Sequence, residues 1–189
     1  MHAADYSILF CCMGNICRSP TAEGVFRKLH LELAPQLRLY IDSAGTHDYH
    51  IGQAPDQRAI LAARQYNIDI SAHRGRMVTA EDFSRFDYIL AMDHANLSRL
   101  EHVRPRASSA ELRLLLEFSA DCALKEVPDP YYGGPRGFER VLQLTQQGGF
   151  GFLKHLCHEQ DISLRSTEYP LKKNLSVHKT GRLIITAYS

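Results

Sequence analysis

The sequence predicts a single α/β domain in which helices cover both faces of a parallel β-sheet, a three-layer sandwich. The chain has 189 residues, of which 44% are apolar, and this size and composition fit one domain with a substantial core. Four short apolar runs are typical of buried strands, at residues 6–11, 37–41, 87–92 and 112–118. Segments with helical spacing alternate with these runs, as expected for parallel strands joined by right-handed crossovers.

Helical spacing of apolar residues occurs in four segments, at residues 21–33, 56–66, 94–102 and 137–158. In the first segment, Val25, Phe26 and Leu29 fall on one face, as in a helix that packs against a sheet. The last segment contains three glycines between positions 148 and 151. Because glycine weakens helices, we expect this helix to bend or break there.

Composition argues against several classes of function. The net charge of +1 gives no reason to expect nucleic acid or an anionic membrane as partner. No apolar run approaches the roughly 20 residues that span a bilayer, and no basic segment precedes a long apolar stretch at the N-terminus, so neither membrane insertion nor a signal peptide is expected. Five cysteines, three of them within residues 11–17, do not suit a disulfide scaffold. They predict chemically used thiols in a reducing cytoplasm.

The segment YSILFCCMGNICRSPTAEGVF, at residues 6–26, predicts a phosphate-binding loop between a strand and a helix. Ser19 is the predicted N-cap of that helix, and Pro20 suits its first turn. The free N–H groups and the dipole of a helix N-terminus favour an anion. Gly14 and Asn15 tolerate the unusual backbone angles of an anion-binding nest. The GxxxxGK[ST] pattern of nucleotide-binding loops is absent.

Cys12 and Arg18 give this loop a distinctive chemistry, because five residues separate them in a C-x5-R arrangement. One tight loop can then hold the sulfur beneath a phosphoryl group and the guanidinium beside it, where arginine can bind two phosphate oxygens. The N–H groups that favour phosphate also favour an ionised sulfur at Cys12, and Ser19 can donate a hydrogen bond to it. Cys11 does not fit this pattern, because Cys17 and not arginine follows six residues later. Cys11 is predicted to be a buried strand residue.

Several motifs follow this loop in an order that resembles one known family. The segment CMGNICRSPTAEGVFR resembles the catalytic signature of low-molecular-weight protein tyrosine phosphatases. Further matches are DSAGT at 42–46, GQAPDQRA at 52–59, EDFSRFDYILAMDHANL at 81–97 and VPDPYYGG at 127–134. The resemblance predicts a phosphatase domain at residues 1–158 and leaves a basic tail of unknown role at 159–189. It implies a four-stranded parallel sheet of the flavodoxin-like or Rossmann-like type, with the site at the carboxyl ends of the strands.

The same resemblance implies a two-step hydrolysis of phosphotyrosine and aryl phosphates through a cysteinyl-phosphate, without metal or cofactor. Cys12 would be the nucleophile, and Arg18 would bind the phosphate and stabilise the transition state. Asp129, in the DPY motif, would be the general acid that protonates the leaving phenolate. Such proton donation is typically worth about 10²–10⁴ in rate.

The other predicted site residues contact substrate or support the loop. The residues expected around the substrate are the loop residues and two tyrosines whose rings can stack on a phenol, namely Met13, Gly14, Asn15, Ile16, Cys17, Ser19, Tyr131 and Tyr132. By resemblance to the family, the loop's shape is held by Asn15, Ser19, Ser43 and His73. The resemblance also suggests a reversible Cys12–Cys17 disulfide that protects the nucleophile from irreversible oxidation.

Three alternative functions fit the sequence less well. Thiol-dependent arsenate reductases share the fold and the C-x5-R loop but need relay cysteines, expected near residues 80–92, where this chain has none; Cys122 and Cys157 are poorly placed substitutes. Phosphoarginine phosphatases carry threonine at the position of Ile16. A non-catalytic phosphotyrosine-binding module would lack the nucleophile, the arginine or the acid, and all three are present. The tyrosine phosphatase interpretation is therefore favoured.

Metal binding, partners and the tail complete the predictions. His47 and His50 are interpreted as solvated loop histidines and not metal ligands, because no C-x2-C set or HExxH helix accompanies them. We expect a phosphotyrosine protein as substrate, with a tyrosine kinase as one candidate, and a monomer or weak dimer. From residue 165 onward, five basic residues stand against Glu168 alone. A solvated tail, a basic docking arm and an additional edge strand at residues 183–185 remain open for this segment.

Overall fold

A computed structural model of the chain describes residues 4–120, 122–131 and 134–166. Within these ranges, four strands alternate with helices, as the sequence predicts. The strands are β1 (Tyr6–Cys12), β2 (Leu39–Gly45), β3 (Tyr88–Ala91) and β4 (Glu111–Leu114). The helices are α1 (Arg18–Leu33), α2 (Gln57–Arg64), α3 (Asp82–Arg85), α4 (His94–Val103) and α5 (Gly134–Glu159).

The sheet is parallel throughout and has the order β2-β1-β3-β4. It separates two apolar cores, and alternate residues of β1 face each of them. Ile8 and Phe10 belong to the core beneath α1, α2 and α5. Leu9 and Cys11 belong to the core beneath α3 and α4. Both faces are therefore covered, which confirms the predicted three-layer α/β architecture and the burial of Cys11 within its strand.

The central position of β1 determines where a ligand can bind. The chain leaves β1 to form β2 on one side of it and later returns to form β3 on the other side. Connections that diverge in this way leave a crevice at the carboxyl end of the central strand, and open α/β sheets bind ligands there. The loop after Cys12, the last residue of β1, lies at this point.

The last predicted strand, at residues 112–118, is too long. Strand β4 ends at Leu114, and Leu115–Phe118 form a single 3₁₀ turn. Leu115 and Leu116 are consecutive and both buried, so the apolar run by itself does not distinguish a strand from a turn of helix.

The predicted break in the last helix is also wrong, because α5 is continuous from Gly134 to Glu159. Its glycines allow the 3₁₀ turn to approach the helix closely. A Cβ atom at Gly148 would lie 2.8 Å from Leu115 Cγ, and one at Gly151 would lie 1.9 Å from the carbonyl oxygen of Phe118. The helical propensity lost at these glycines is therefore offset by close packing.

Residues 160–166 pack back onto the domain after α5 ends. The Arg165 amide donates to the carbonyl oxygen of Leu33 at 2.9 Å, and Ile162 and Leu164 pack against the first core. The domain boundary at residue 158 stays a prediction. The suggested edge strand at 183–185 and the tail from residue 167 lie outside the described residues. In the part of the chain that the structure describes, no helix has both the length and the apolar character needed to cross a membrane.

Candidate active site

The loop at residues 13–17 joins β1 to α1, and its carbonyl groups are held by neighbouring segments. Thr46 N–H donates to the Cys12 oxygen at 2.8 Å, His47 N–H to the Met13 oxygen at 3.0 Å, and Asp56 N–H to the Ile16 oxygen at 2.8 Å. Among residues 4–120, 122–131 and 134–166, no group accepts a hydrogen bond from the amides of residues 13–18. Carbonyl groups at both ends of the loop are therefore held in place while its amides stay available, which is the property of an anion-binding nest.

Asn15 holds the loop in shape from below. Its backbone has φ of 55°, in the left-handed region, and its side chain is fully buried. The side-chain amide nitrogen donates to Ser19 Oγ at 2.9 Å and to Ser43 Oγ at 3.0 Å. Its oxygen accepts from the Arg76 amide at 3.0 Å and from His73 Nε2 at 3.1 Å. The hydrogen-bonding capacity of this amide is filled, and a filled buried network of this kind is rigid.

Ser43 and His73 join this network to α1 through Glu23. Ser43 donates to Glu23 Oε2 at 2.7 Å, and His73 Nδ1 lies 3.7 Å from the same oxygen. Burial lowers the pKa of His73, and the charge of Glu23 opposes that shift. Both residues thus lie behind the loop, in contact with the groups that fix Asn15.

Arg76 extends the network to β2 and to α3. Its guanidinium donates to Asp42 Oδ2 at 2.9 Å and to Asp82 Oδ2 at 2.9 Å. These two carboxylates hold the Arg76 backbone in place beneath Asn15.

Cys12 lies at the base of the loop, with only 3% of its surface exposed. Its sulfur is 3.0 Å from Ser19 Oγ. The prediction that Ser19 caps the helix is wrong: α1 begins at Arg18, its N-cap is Cys17, and no side chain caps it. The hydroxyl oxygen of Ser19 instead contacts the sulfur, the side chain of Asn15 and, at 3.3 Å, the Ala44 carbonyl oxygen. Pro20 lies in the first turn, as predicted.

Arg18 is buried, with 2% of its surface exposed, yet its guanidinium contacts two carboxylates. Nη1 pairs with Asp93 and donates to the Val127 carbonyl oxygen at 3.2 Å, while Nη2 pairs with Asp129 at 3.2 Å. Burial by itself would lower the pKa of Arg18, but the negative charges of Cys12, Asp93 and Asp129 outweigh it and raise the pKa. The guanidinium therefore remains charged in a dry setting, and in such a setting a guanidinium can bind an oxyanion strongly.

Asp129 lies on the loop that precedes α5, and its carboxylate is half exposed. Oδ2 faces Arg18, and Oδ1 accepts a hydrogen bond from the Tyr131 amide at 3.0 Å. Val127 N–H donates to the Met92 carbonyl oxygen at 2.7 Å and so attaches the start of this loop to the end of β3. The carboxylate is thus brought to the mouth of the phosphate-binding loop from the opposite side.

Gly14 makes room for a neighbouring side chain and does not supply unusual backbone angles, contrary to the prediction, because its φ is not positive. A Cβ atom at this position would lie 2.7 Å from His50 Cδ2. His50, predicted to be a solvated loop histidine, is half buried against the loop, and its Nδ1 lies 2.8 Å from Gln53 Oε1.

These groups enclose a pocket of about 290 Å³. Most of the predicted substrate contacts line it, together with two residues that were not predicted, and the complete lining is Cys12, Met13, Gly14, Ile16, Cys17, Arg18, Tyr49, His50, Asp129 and Tyr131. Asn15 and Ser19 do not line the pocket but lie beneath it. Tyr132 lies outside the described residues.

Cys17 lines the same pocket as Cys12 and is a free thiol. Burial, reinforced by the negative charge of Asp56, raises the pKa of the Cys17 thiol to about 12. Cys17 is therefore a neutral thiol at physiological pH, unlike a nucleophile prepared for attack.

Among the residues that the structure describes, no group of three or more histidine, cysteine, aspartate or glutamate side chains could hold a metal ion. The groups that surround the pocket are a thiol, a guanidinium, a carboxylate and backbone amides. This set suits an oxyanion better than a cation.

Sequence reasoning missed three contributors to the site: Asp93, Tyr49 and His50. Asp93 carried a detectable signal, since it follows β3 at the carboxyl edge of the sheet, next to the phosphate-binding loop. Tyr49 and His50 belong to a loop without regular structure, and nothing in their spacing distinguishes them from ordinary surface residues.

Comparisons with known proteins identify the family of the chain. The family model of the low molecular weight phosphotyrosine protein phosphatases matches residues 7–161. A low molecular weight phosphotyrosine protein phosphatase from Sus scrofa is 42% identical over 138 residues, which cover 72% of this chain and 87% of the relative. The crystal structure of YfkJ from Bacillus subtilis has a TM-score of 0.77 and 36% identity, covering 85% of this chain and 99% of YfkJ.

A further solved structure is named for a phosphatase of a different type. It is the Drosophila arginine phosphatase DARP, with a TM-score of 0.73 and 33% identity, covering 78% of this chain and 96% of DARP. The family match extends over most of the chain and includes every described residue of the pocket. The chain therefore belongs to the low molecular weight phosphotyrosine protein phosphatase family.

Proposed function

We propose that this protein hydrolyses phosphotyrosine in proteins through a cysteinyl-phosphate intermediate. One observation carries the proposal: the sulfur of Cys12, the buried guanidinium of Arg18 and the carboxylate of Asp129 line one pocket around a loop with unengaged amides. A nucleophile, a phosphate-binding group and an acid are the components that phosphoryl transfer to a thiol requires.

In the first step, the Cys12 sulfur attacks phosphorus as the bond from phosphorus to the tyrosyl oxygen breaks. Asp129 gives its proton to the departing oxygen, so that tyrosine leaves as a neutral phenol. Arg18 and the loop amides bind the three equatorial oxygens, whose charge they stabilise in the transition state. The pairing of Arg18 with Asp93 supports this role, because it fixes the plane of the guanidinium.

In the second step, a water molecule gives a proton to Asp129 and attacks phosphorus. The sulfur–phosphorus bond breaks, inorganic phosphate is released and Cys12 returns to its thiolate form. The hydroxyl of Ser19, 3.0 Å from the sulfur, can donate a hydrogen bond to the leaving thiolate.

The walls of the pocket favour an aryl phosphate. Tyr131 and Tyr49 are exposed aromatic residues at the pocket, and Tyr49 stacks on His47 with ring centroids 5.3 Å apart. The sulfur, by contrast, is almost completely buried. A phosphotyrosine side chain is long enough to reach such a sulfur, and its ring can pack between the tyrosines.

Phosphoarginine hydrolysis is the second candidate, because DARP is an arginine phosphatase with the same fold. Ile16 lines the pocket here, at the position where the family resemblance implies threonine in phosphoarginine phosphatases. An apolar side chain there cannot accept a hydrogen bond from a guanidino group, so the aryl ester is favoured.

Cellular context follows from the thiols and from the substrate class. The five cysteines are all free, which supports a reducing compartment such as the cytoplasm. The partner proposed is a phosphotyrosine protein, with a tyrosine kinase as one candidate, and the proposed assembly is a monomer or weak dimer.

The test is hydrolysis of phenyl phosphate by the wild type, Cys12→Ser and Asp129→Ala, with a chelator present. Cys122→Ser is a matched control, because it removes a thiol that does not line the pocket. We expect Cys12→Ser to be inactive, Asp129→Ala to lose about 10²–10⁴ in kcat, and the control to retain activity. Turnover by Cys12→Ser would contradict the mechanism.

Substrate class is tested with two peptides of the same sequence, one phosphorylated on tyrosine and the other on arginine. Faster release of phosphate from the tyrosine peptide is expected, and preference for the arginine peptide would favour the second candidate. Cys12→Ser should also retain phosphotyrosine proteins, which identifies physiological substrates.

A further inference from the structure

Arg58 connects the two loops that form the active site. It lies in α2, outside the pocket, and its side chain is partly exposed. Three groups of contacts fix its guanidinium: the carboxylate of Asp56, the carbonyl oxygen of Tyr131, and two aromatic rings.

The first contact attaches Arg58 to the phosphate-binding loop. Asp56 accepts from Arg58 Nε at 3.0 Å and from Nη2 at 2.7 Å, a two-pronged ion pair. The hydrogen bond from Arg58 lowers the pKa of Asp56. Asp56 in turn donates its backbone N–H to the Ile16 carbonyl oxygen at 2.8 Å. Asp56 also caps α2 by accepting from the Arg58 amide, so this anchor is rigid.

The second contact attaches Arg58 to the loop of the general acid. Nη1 donates to the Tyr131 carbonyl oxygen at 3.1 Å, and the guanidinium carbon lies 5.3 Å from the centre of the Tyr131 ring. The same carbon lies 4.6 Å from the centre of the Phe138 ring, which is buried in α5. The amide of Tyr131 donates to Asp129 Oδ1. The Arg58 guanidinium thus holds Tyr131 in place, and the Tyr131 amide in turn holds the carboxylate of Asp129.

The connection from Arg58 to Tyr131 becomes more important when substrate binds. Arg18 Nη2 contacts Asp129 Oδ2 in the structure. A bound phosphate would engage the Arg18 guanidinium, and Asp129 must then act on the leaving oxygen. The Tyr131 amide remains as a support for the carboxyl group, and its position depends on Arg58.

We propose that Arg58 is a positioning residue for proton donation: it sets the distance between the phosphate-binding loop and Asp129. The inference rests on the proposed function, for which Asp129 is the acid. Arginine is suited to this task because its planar fork contacts a carboxylate, a carbonyl oxygen and an aromatic face together, and lysine does not.

The test compares phosphate esters whose leaving groups differ in how much they depend on protonation. Phenolate is basic and needs protonation as it leaves, whereas dinitrophenolate leaves without it. We expect Arg58→Met to lower kcat/KM on phenyl phosphate about tenfold, a part of the gain from general acid catalysis. On dinitrophenyl phosphate, kcat/KM should stay close to the wild-type value, because it reports the first step alone and that leaving group needs no proton. Arg58→Lys should be intermediate, with charge retained and the fork lost.

Two controls separate positioning from folding. Arg64→Met removes an exposed arginine from the same helix and should leave both rates unchanged, and thermal unfolding identifies any variant that is not folded. In the background of Asp129→Ala, Arg58→Met should cause little further loss on phenyl phosphate, because the two changes remove the same function.

Equal losses on both esters, or a loss that adds fully to that of Asp129→Ala, would overturn the inference. Both outcomes differ from failure of the proposed function itself. If wild-type protein hydrolyses neither ester, the proposed function fails. If it hydrolyses both and Arg58→Met behaves like Arg64→Met, only the positioning role fails.

Discussion

The hydroxyl oxygen of Ser19 lies 3.0 Å from the sulfur of Cys12, and both atoms are buried. Ser19 Oγ also accepts a hydrogen bond from the side chain of Asn15. The hydroxyl can donate to the sulfur or to the Ala44 carbonyl oxygen, 3.3 Å away, and when it points toward the sulfur it stabilises negative charge there. The contact links the geometry of the loop to the reactivity of the thiol.

Ser19→Ala should slow hydrolysis of the phosphoenzyme more than its formation, because the thiolate is the leaving group in that step. Hydrogen bonds to charged groups contribute about 1.5–3 kcal/mol, so roughly 10–100-fold is expected in the second step. With an ester whose phenol leaves readily, a rapid burst of phenol should precede slow turnover in stopped-flow measurements. Thr145→Ala removes a buried hydroxyl far along the chain, bonded to Leu142, and should show no burst. A wild-type time course for Ser19→Ala would contradict this role.

Gly14, within the phosphate-binding loop, and Gly45, beside it, should respond differently to substitution by alanine. At Gly45 an added Cβ would lie 2.8 Å from the Met13 carbonyl oxygen, which is backbone and cannot move without displacing the loop. At Gly14 it would meet the side chain of His50, which can rotate away. Overpacking typically costs about 1–3 kcal/mol. We expect Gly45→Ala to lose more activity than Gly14→Ala.

A double variant tests this explanation. His50→Ala should restore most of the activity lost by Gly14→Ala, since it removes the atoms that the new methyl group contacts. It should restore nothing to Gly45→Ala. Kinetics on phenyl phosphate, together with thermal unfolding of each variant, would measure both effects, and rescue of neither variant would show that the contact with His50 is unimportant.

Asp93 has two separable roles, in orienting Arg18 and in capping α4. One carboxylate oxygen pairs with Arg18, and the other accepts from the Asn96 amide at 2.6 Å. Asp93→Asn can keep the cap but loses the ion pair. We expect its kcat/KM on phenyl phosphate to fall about tenfold or more, as for loss of a hydrogen bond to a charged group.

Asp93→Ala loses the cap as well, so its free energy of unfolding should fall by about a further 1 kcal/mol. Denaturant titration of the two variants measures that difference. Full activity in Asp93→Asn would mean that the Val127 carbonyl oxygen alone orients Arg18.

The proposed disulfide between Cys12 and Cys17 should depend strongly on pH. Peroxide oxidises the Cys12 thiolate to a sulfenic acid, and the Cys17 thiolate then displaces water or hydroxide from that sulfur to form the disulfide. Because burial raises the pKa of Cys17 to about 12, its thiolate fraction is small at neutral pH and rises about tenfold per pH unit below that value. Disulfide formation after a peroxide pulse should accelerate accordingly, as measured by mass spectrometry.

Cys17→Ser provides the control for this scheme. It should be inactivated by peroxide like the wild type but recover less activity with added thiol, because Cys12 proceeds to irreversible oxidation. Recovery equal to that of the wild type would exclude a protective disulfide. Cys122→Ser, outside the pocket, should recover normally.

The chemistry of the phosphate-binding loop could be predicted from sequence because it is local. Cys12, Arg18 and the start of α1 lie within a few consecutive residues, so their spacing already constrains their geometry. The four strands were also predictable, since a sheet covered on both faces requires continuous apolar runs.

Contacts between distant segments could not be predicted in this way. Asp93 is 75 positions from Arg18, and Tyr131 is 73 positions from Arg58. These pairs meet only because the loops after β3 and before α5 converge on the same end of the sheet. The position of Asp93 beside the loop could have been inferred from the topology of the sheet. The link from Arg58 to the loop that carries Asp129 depends on one side-chain conformation, which residue spacing does not encode.

Local sequence patterns also gave wrong predictions where tertiary packing changed the role of a residue. Ser19 has the sequence position of an N-cap, but its hydroxyl is engaged by Cys12 and Asn15. The glycines of α5 predict a break, but they are the positions where the 3₁₀ turn comes closest to the helix.

The longest helix that the structure describes cannot, for the same reason, maintain itself alone. Its glycines at 148, 149 and 151 make a free peptide of residues 134–159 a poor helix former, and nucleation in water is already unfavourable. Its order therefore depends on its packing partners, chiefly α1 and the 3₁₀ turn, against which these glycines lie. Since the loop that carries Asp129 leads directly into this helix, the placement of its carboxylate depends on tertiary packing and not on local helix propensity.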